Sequence, residues 1–228
     1  MKILVLNGSP KAKSDTMRIT DAFLSGVKTV CDAEIDIIHV IEKDIKPCFG
    51  CFSCWQTDNS VCVQDDDMSG IISEMQKADI TIWSFPLYCY GMPSHLKAVC
   101  DRQIPMIKLN MKKENERIVH EAKEDTRFSR AVMICGCGFP SFKGNFEPAV
   151  MQFSNMFGED SLKICISEAP MLNIPDAKPL SEPLLEKIKA AGAQYITSGF
   201  SLSRETLDEI EAPMIPTEEY LAIINSIH

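Results

Sequence analysis

The sequence predicts an α/β domain: a parallel sheet wound with helices on both faces, followed by a short helical extension. Three observations carry this reading. Five short apolar runs, Lys2–Leu6, Glu34–Val40, Asp79–Phe85, Ala131–Cys135 and Leu162–Ile166, read as strands, and several are apolar at consecutive positions, as strands buried on both faces are. Segments with helical apolar spacing alternate with them. Three loops rich in hydroxyls, prolines or glycines follow strands one, three and four. They therefore gather at the carboxyl ends of the strands, where open parallel sheets bind ligands.

Composition narrows the function. The chain has 228 residues and 45% hydrophobic content, enough for one α/β domain with extensions and a real core. Net charge is −9, from 23 Lys and Arg against 32 Asp and Glu. That argues against nucleic acid as a main partner, because neutralising phosphates needs a basic face. No apolar run approaches the ~20 residues of a membrane span, and the N-terminus reads as a core strand rather than a signal peptide. A cytoplasmic protein is expected. Its ten cysteines are then core residues, redox thiols or metal ligands rather than a disulfide framework.

The first strand breaks off at Asn7-Gly8-Ser9-Pro10, which cannot continue it. Ser14, Asp15 and Thr16 can each cap the helix expected over Met17–Val30. A strand, a polar loop and a helix N-terminus together make an anion site, since the helix start offers unpaired N–H groups and a partial positive charge. The loop has neither the Gly-Lys-Ser/Thr ending of a nucleoside-triphosphate loop nor the spaced glycines of a dinucleotide fingerprint. Hydroxyls with little glycine suit a terminal phosphate monoester, and an ordinary β–α connection is the alternative.

After strand two, Cys48, Cys51 and Cys54 are spaced by two residues each, and Cys62 follows. Three thiolates in one short loop can face one centre, and a fourth can close a cuboidal cluster. Zinc, a redox thiol pair and a packed turn remain open. A helix is expected over Asp66–Lys77, and the acidic run Asp65-Asp66-Asp67 at its start complements its dipole. Strand three ends in Pro86-Leu87-Tyr88-Cys89-Tyr90-Gly91, and Pro93 fits the first turn of the next helix. Residues 108–130, dense in mixed charge, read as a solvated connection or exposed helix that could act as a lid. Strand four runs into Gly136-Cys137-Gly138. Helices are expected over Phe146–Phe157 and Pro183–Gly199. Two short helical pieces interrupted by Pro213 and Pro216 end the chain.

Gly8-Ser9-Pro10-Lys11 with Ser14-Asp15-Thr16 resembles the phosphate loop of the flavodoxin-like NAD(P)H-dependent FMN reductases. Lys11 stands for the usual Arg there, and Asp15 for the usual Asn. Pro86 to Gly91, continuing to Leu96-Lys97 and Asp101-Arg102, is similar to that family's isoalloxazine loop. The cysteine spacing and the Asp65-Asp66-Asp67-Met68 that follows resemble the iron–sulfur flavoprotein branch.

The resemblance covers about residues 1 to 170. It implies a flavodoxin-like, doubly wound, five-stranded sheet of order 2-1-3-4-5 in a three-layer sandwich. It implies a 1–200 FMN-binding domain with a cysteine-rich loop over 45–65, and a 201–228 extension. FMN would be held by Ser9, Lys11, Ser14, Asp15, Thr16, Pro86, Leu87, Tyr88, Cys89, Tyr90, Gly91, Gly136 and Gly138, and would carry the chemistry without a protein general base. Cys48, Cys51, Cys54 and Cys62 would hold a [4Fe–4S] cluster. NAD(P)H would be the donor to an unidentified acceptor, and the assembly a homodimer or homotetramer. The alternatives are a non-enzymatic electron carrier and a zinc or thiol module without flavin.

Overall fold

The computed structural model describes residues 1–56, 61–114 and 116–226. Residues 57–60 of the cysteine loop, residue 115 of the charged segment and residues 227–228 of the extension lie outside the described residues.

Five parallel strands form the large sheet: β1 (Lys2–Asn7), β2 (Glu34–His39), β3 (Ile80–Pro86), β6 (Arg130–Gly136) and β7 (Leu162–Ile166). Their spatial order is β2-β1-β3-β6-β7. Alternation along each central strand divides the core in two. Ile3, Val5, Ile80, Ile82, Val132 and Ile134 face α1 (Asp15–Val30) and α5 (Lys178–Thr197), where Phe23, Val27, Ile188 and Tyr195 meet them. Leu4, Leu6, Trp83, Phe85, Met133 and Cys135 face the other way. They meet Ile71, Ile72 and Met75 of α2 (Met68–Lys77), Leu96 and Val99 of α3 (Ser94–Asp101), and Phe153 of α4 (Glu147–Phe157). The result is the three-layer α/β sandwich expected, because a strand buried on both faces needs a helical layer on each.

On the first face, α1 and α5 cross at backbone distance. A Cβ on Gly26 would sit 1.7 Å from the Lys189 carbonyl oxygen, and one on Gly192 2.0 Å from that of Phe23. Only glycine permits this approach.

Two elements differ from expectation. Residues 107–122 form an antiparallel hairpin, β4 (Ile107–Glu114) and β5 (Arg117–Ala122), rather than a loose connection or helix. β4 alternates apolar side chains at Ile107, Leu109 and Met111, but Leu109, Met111 and Ile118 of β5 are exposed, so the period-two signal lies among charges. The last long helix, α5, begins at Lys178 rather than Pro183. Pro183 lies early in the helix, where its missing N–H removes a single bond.

The extension forms α6 (Arg204–Glu211) and α7 (Thr217–Asn225). Ile210 joins the α1–α5 core, and Tyr220 and Ile215 pack with Met171 and Ala177. Among the described residues, no helix is long and apolar enough to cross a membrane.

Candidate functional site

The loop after β1 is built to place hydroxyls at the start of α1. Gly8 donates its N–H to the Ser84 carbonyl of β3 at 2.8 Å. A Cβ there would lie 2.8 Å from Leu96 and 3.2 Å from Phe85, so glycine lets the chain turn against α3. The Asn7 carboxamide accepts the Ser9 N–H at 2.9 Å, and Ser9 Oγ accepts that of Lys11 at 3.3 Å. Ser14 is the helix N-cap, its Oγ accepting the Met17 N–H at 3.1 Å. Ser9, Ser14 and Thr16 are all buried. Asp15 does not turn a bare charge on the anion site. Lys11 Nζ lies 3.3 Å from one carboxylate oxygen, and the Asn173 amide donates to the other at 2.5 Å.

These groups line one pocket with residues from two other strand ends. Ser9, Lys11, Ser14, Asp15 and Thr16 come from the first loop, Pro86, Leu87 and Tyr88 from the second, and Gly136 and Gly138 from the third. Gly136 is required by crowding: a Cβ would lie 2.9 Å from Ala169 and 3.5 Å from the Thr16 hydroxyl oxygen.

Cys89, Tyr90 and Gly91 do not line the pocket; they form the turn beyond it. Tyr88 and Gly91 exchange N–H···O bonds at 3.0 Å, with Cys89 and Tyr90 both left-handed (φ 48° and 64°). That geometry normally selects Asn-Gly, so the two side chains hold a strained conformation of the kind that concentrates at functional loops. The Tyr90 ring lies near-parallel to Phe139 at 6.3 Å, joining the second loop to the third.

Sequence reasoning missed the pocket's fourth wall, Ala169 and Pro170. Cys137 of the third loop lines the pocket too, and burial pushes its thiol up to about 11. The segment before Ala169 is pinned from the far C-terminus. Glu168, buried with φ +54°, accepts the Met214 N–H at 2.6 Å. Burial raises its pKa. Tyr220 donates its hydroxyl to the Gly138 carbonyl at 2.7 Å.

The cysteine loop makes a second, separate pocket. Cys48, Cys51, Cys54 and Cys62 all line it, with Phe49, Phe52 and Arg102. Gly50 (φ 63°) lets the loop double back and donates its N–H to Cys48 Sγ at 3.5 Å. Trp55 stacks on Phe52 at 4.6 Å and approaches His120 of the hairpin at 5.4 Å. The buried Lys123 Nζ donates to the Cys54 carbonyl at 2.8 Å. Hydrogen bonds from Ser53 lower the pKa of the exposed Cys51, whereas burial and then the neighbouring Cys62 raise that of Cys54. Among the described residues, no three His, Cys, Asp or Glu side chains converge closely enough to clasp a metal ion. The four sulfurs surround a cavity rather than a point.

The loop is tied down by an ion pair whose partners are 36 residues apart in sequence. Arg102 donates from both terminal nitrogens to the Asp66 carboxylate, at 2.7 and 3.0 Å, and from Nη1 to the Lys46 carbonyl at 2.7 Å. Both side chains are almost wholly buried, 1% and 0% exposed. Asp66 also accepts the N–H groups of Lys46 and Met68. Burial opposes its ionisation, but these bonds prevail and hold its carboxyl below the usual range. Asp66 is therefore an anchor, and the helix-dipole role expected for the acidic run is too small a description of it.

Comparison with known proteins fits this geometry. The model of the NADPH-dependent FMN reductase family matches residues 1–116, and the chain belongs to that family. Over 116 residues it is 33% identical to an iron–sulfur flavoprotein of Methanosarcina thermophila, across 51% of this chain and 59% of the relative. It is 34% identical to an iron–sulfur flavoprotein of Archaeoglobus fulgidus, across 45% and 48%. The chain thus spans about half the length of the curated relatives it matches. Among solved structures it is similar to an azoreductase from Bacillus anthracis (TM-score 0.63, 14% identity, 85% of this chain and 99% of that one). It is also similar to an NAD(P)H:quinone oxidoreductase from Methanothermobacter marburgensis (TM-score 0.61, 14% identity, 86% and 97%). Those two likenesses speak for the flavodoxin-like fold alone.

Proposed function

We infer that the protein is an FMN-dependent oxidoreductase that takes reducing equivalents from NAD(P)H and passes them to an acceptor, with a [4Fe–4S] cluster as a second redox group. The observation that carries the flavin half is the convergence of three strand-end loops, one of hydroxyls at a helix start and two of proline, aromatic and glycine, on one pocket.

FMN fits the residues present. Ser9, Ser14, Thr16 and the first N–H groups of α1 would hold a terminal phosphate, with Lys11 at the rim. Pro86, Leu87 and Tyr88 would face the ring system, offering backbone donors and flat or apolar surface. Gly136 and Gly138 keep the facing wall free of side chains. When bound, FMN supplies the redox chemistry, accepting a hydride and releasing one or two electrons, and a cluster would supply single-electron transfer. The chain's own residues bind and orient these groups.

The cluster half rests on the donor set, four cysteines around one cavity, together with the buried Arg102 beside them. We extend the reading to a 1–200 flavin domain with a 201–228 extension, and to a homo-oligomer whose hairpin β4–β5 meets a neighbour.

Mass spectrometry of the released cofactor tests the flavin assignment: FMN is expected, and FAD as sole occupant would overturn it. Steady-state oxidation of NADH and NADPH by the anaerobic holoprotein tests the activity. Flavin reduction by dithionite but by neither nicotinamide would favour the electron-carrier alternative.

A further inference from the structure

We propose that Arg102 donates from Nε to the sulfur shell of the cysteine pocket and thereby favours the reduced form of the group held there. The inference rests on the cluster reading above. Arg102 is 1% exposed and lines the same cavity as the four cysteines. Its terminal nitrogens are committed to Asp66 and the Lys46 carbonyl. Among the described residues its Nε is buried with no hydrogen-bond partner. A guanidinium carries five donors and no acceptor, and a buried donor left unmade is unfavourable enough to call for a partner. Cys62 lines the same cavity and is the cysteine whose charge favours that of the guanidinium. Asp66 fixes the fork from behind, so the guanidinium cannot swing away.

The consequence is electrostatic. Reduction of a thiolate-bound cluster adds one electron and makes or breaks no bond. The added negative charge spreads over the sulfurs, so a fixed N–H donor and a positive charge beside them favour the reduced state. Gly50 N–H on Cys48 acts in the same sense. Asp66 opposes it by neutralising part of the guanidinium. Arg102 also caps α3, the helix that starts just beyond the Pro86–Gly91 turn, so one short element joins the two pockets.

The test is a dithionite titration of the anaerobic holoprotein, with the midpoint potential read from the electron paramagnetic resonance signal of the reduced cluster. Arg102→Lys keeps the charge but removes the Nε donor, and its potential should move to more negative values. Asp66→Asn keeps an acceptor oxygen but frees the guanidinium charge, and its potential should move the opposite way. Opposite signs with unchanged iron per chain are the expected result; a merely structural role would lose iron or move both variants together. If Arg102→Lys loses iron, the double variant Arg102→Gln/Asp66→Asn replaces it and should lie below Asp66→Asn alone. Variants that retain iron with unmoved potentials overturn the proposal by itself. Wild-type protein with flavin but no iron overturns the cluster reading and the proposal together.

Discussion

The two pockets are held in different ways. The hydroxyl and glycine pocket is assembled from the ends of β1, β3, β6 and β7, whose strands are paired along their lengths. Its walls are fixed by the sheet, and a change at one residue leaves the others in place. The cysteine pocket lies on loop and short helical turns. It is fastened by a few long-range contacts, chiefly Asp66 with Arg102, and Lys123 with the Cys54 carbonyl. A site on strand ends draws its order from the fold, whereas a site on a loop depends on each fastening separately.

The contrast is broken most severely at its main fastening. Asp66→Ala leaves Arg102 buried without its partner and two backbone N–H groups without their acceptor. The loss should be about 3–5 kcal/mol, the usual result of removing one member of a buried pair. We expect it to fall on the cysteine loop. Hydrogen exchange should show faster opening over residues 45–56 with the β1 and β3 amides still protected. Equal deprotection of β1 and β3 would mean that the two regions are not separable.

The flavin pocket should respond locally. Thr16→Val removes a hydroxyl donor from the anion site and should weaken FMN binding by about 1–3 kcal/mol. The thermal midpoint of the apoprotein should hardly move. Fluorescence titration of the apoprotein with FMN measures the first, and a melt the second.

What the sequence made legible follows the same division. The five strands and the first two pocket loops were readable because runs such as Ile3–Leu6 and Ile80–Phe85 carry burial on both faces, and because loop chemistry sits beside its strand. The hairpin was not readable, since Leu109, Met111 and Ile118 face outward among lysines and glutamates. Arg102 and Asp66 looked like ordinary charges, because a pairing across 36 residues leaves no local trace. Ala169 and Pro170 reach the hydroxyl and glycine pocket, and Tyr220 its Gly138 carbonyl, only through the return of the chain after β7. The cysteine spacing indicated one centre; the structure sets the four cysteines around one cavity and adds what else lines it.

A smaller effect probes the C-terminal buttress of the flavin pocket. Burial pushes the Tyr220 hydroxyl up to about 12, so it stays protonated and donates to Gly138 at neutral pH. Tyr220→Phe should cost about 1 kcal/mol in stability and speed FMN release several-fold. An unchanged release rate would detach the buttress from the pocket.

A separate effect is a pH dependence at α6. Glu211 accepts the Cys165 N–H of β7 at 3.0 Å, and burial raises its pKa from 4.5 to about 7. A carboxyl raised on folding binds more protons folded than unfolded between those two values. Its contribution to stability is therefore complete below about 4.5 and is lost as pH rises through about 7. Glu211→Gln should flatten that slope in a series of melts from pH 5 to 8, whereas an unaltered slope would assign it to other groups.

The central claim is that one chain holds two different redox groups in two differently built pockets. The most direct measurement is the content of FMN, iron and acid-labile sulfide on the same anaerobically purified sample, for the wild type and for Cys51→Ala. We predict one FMN per chain in both, with iron and sulfide each near about four per chain in the wild type and absent from Cys51→Ala. Flavin without iron in the wild type, or loss of flavin together with iron in the variant, would contradict it.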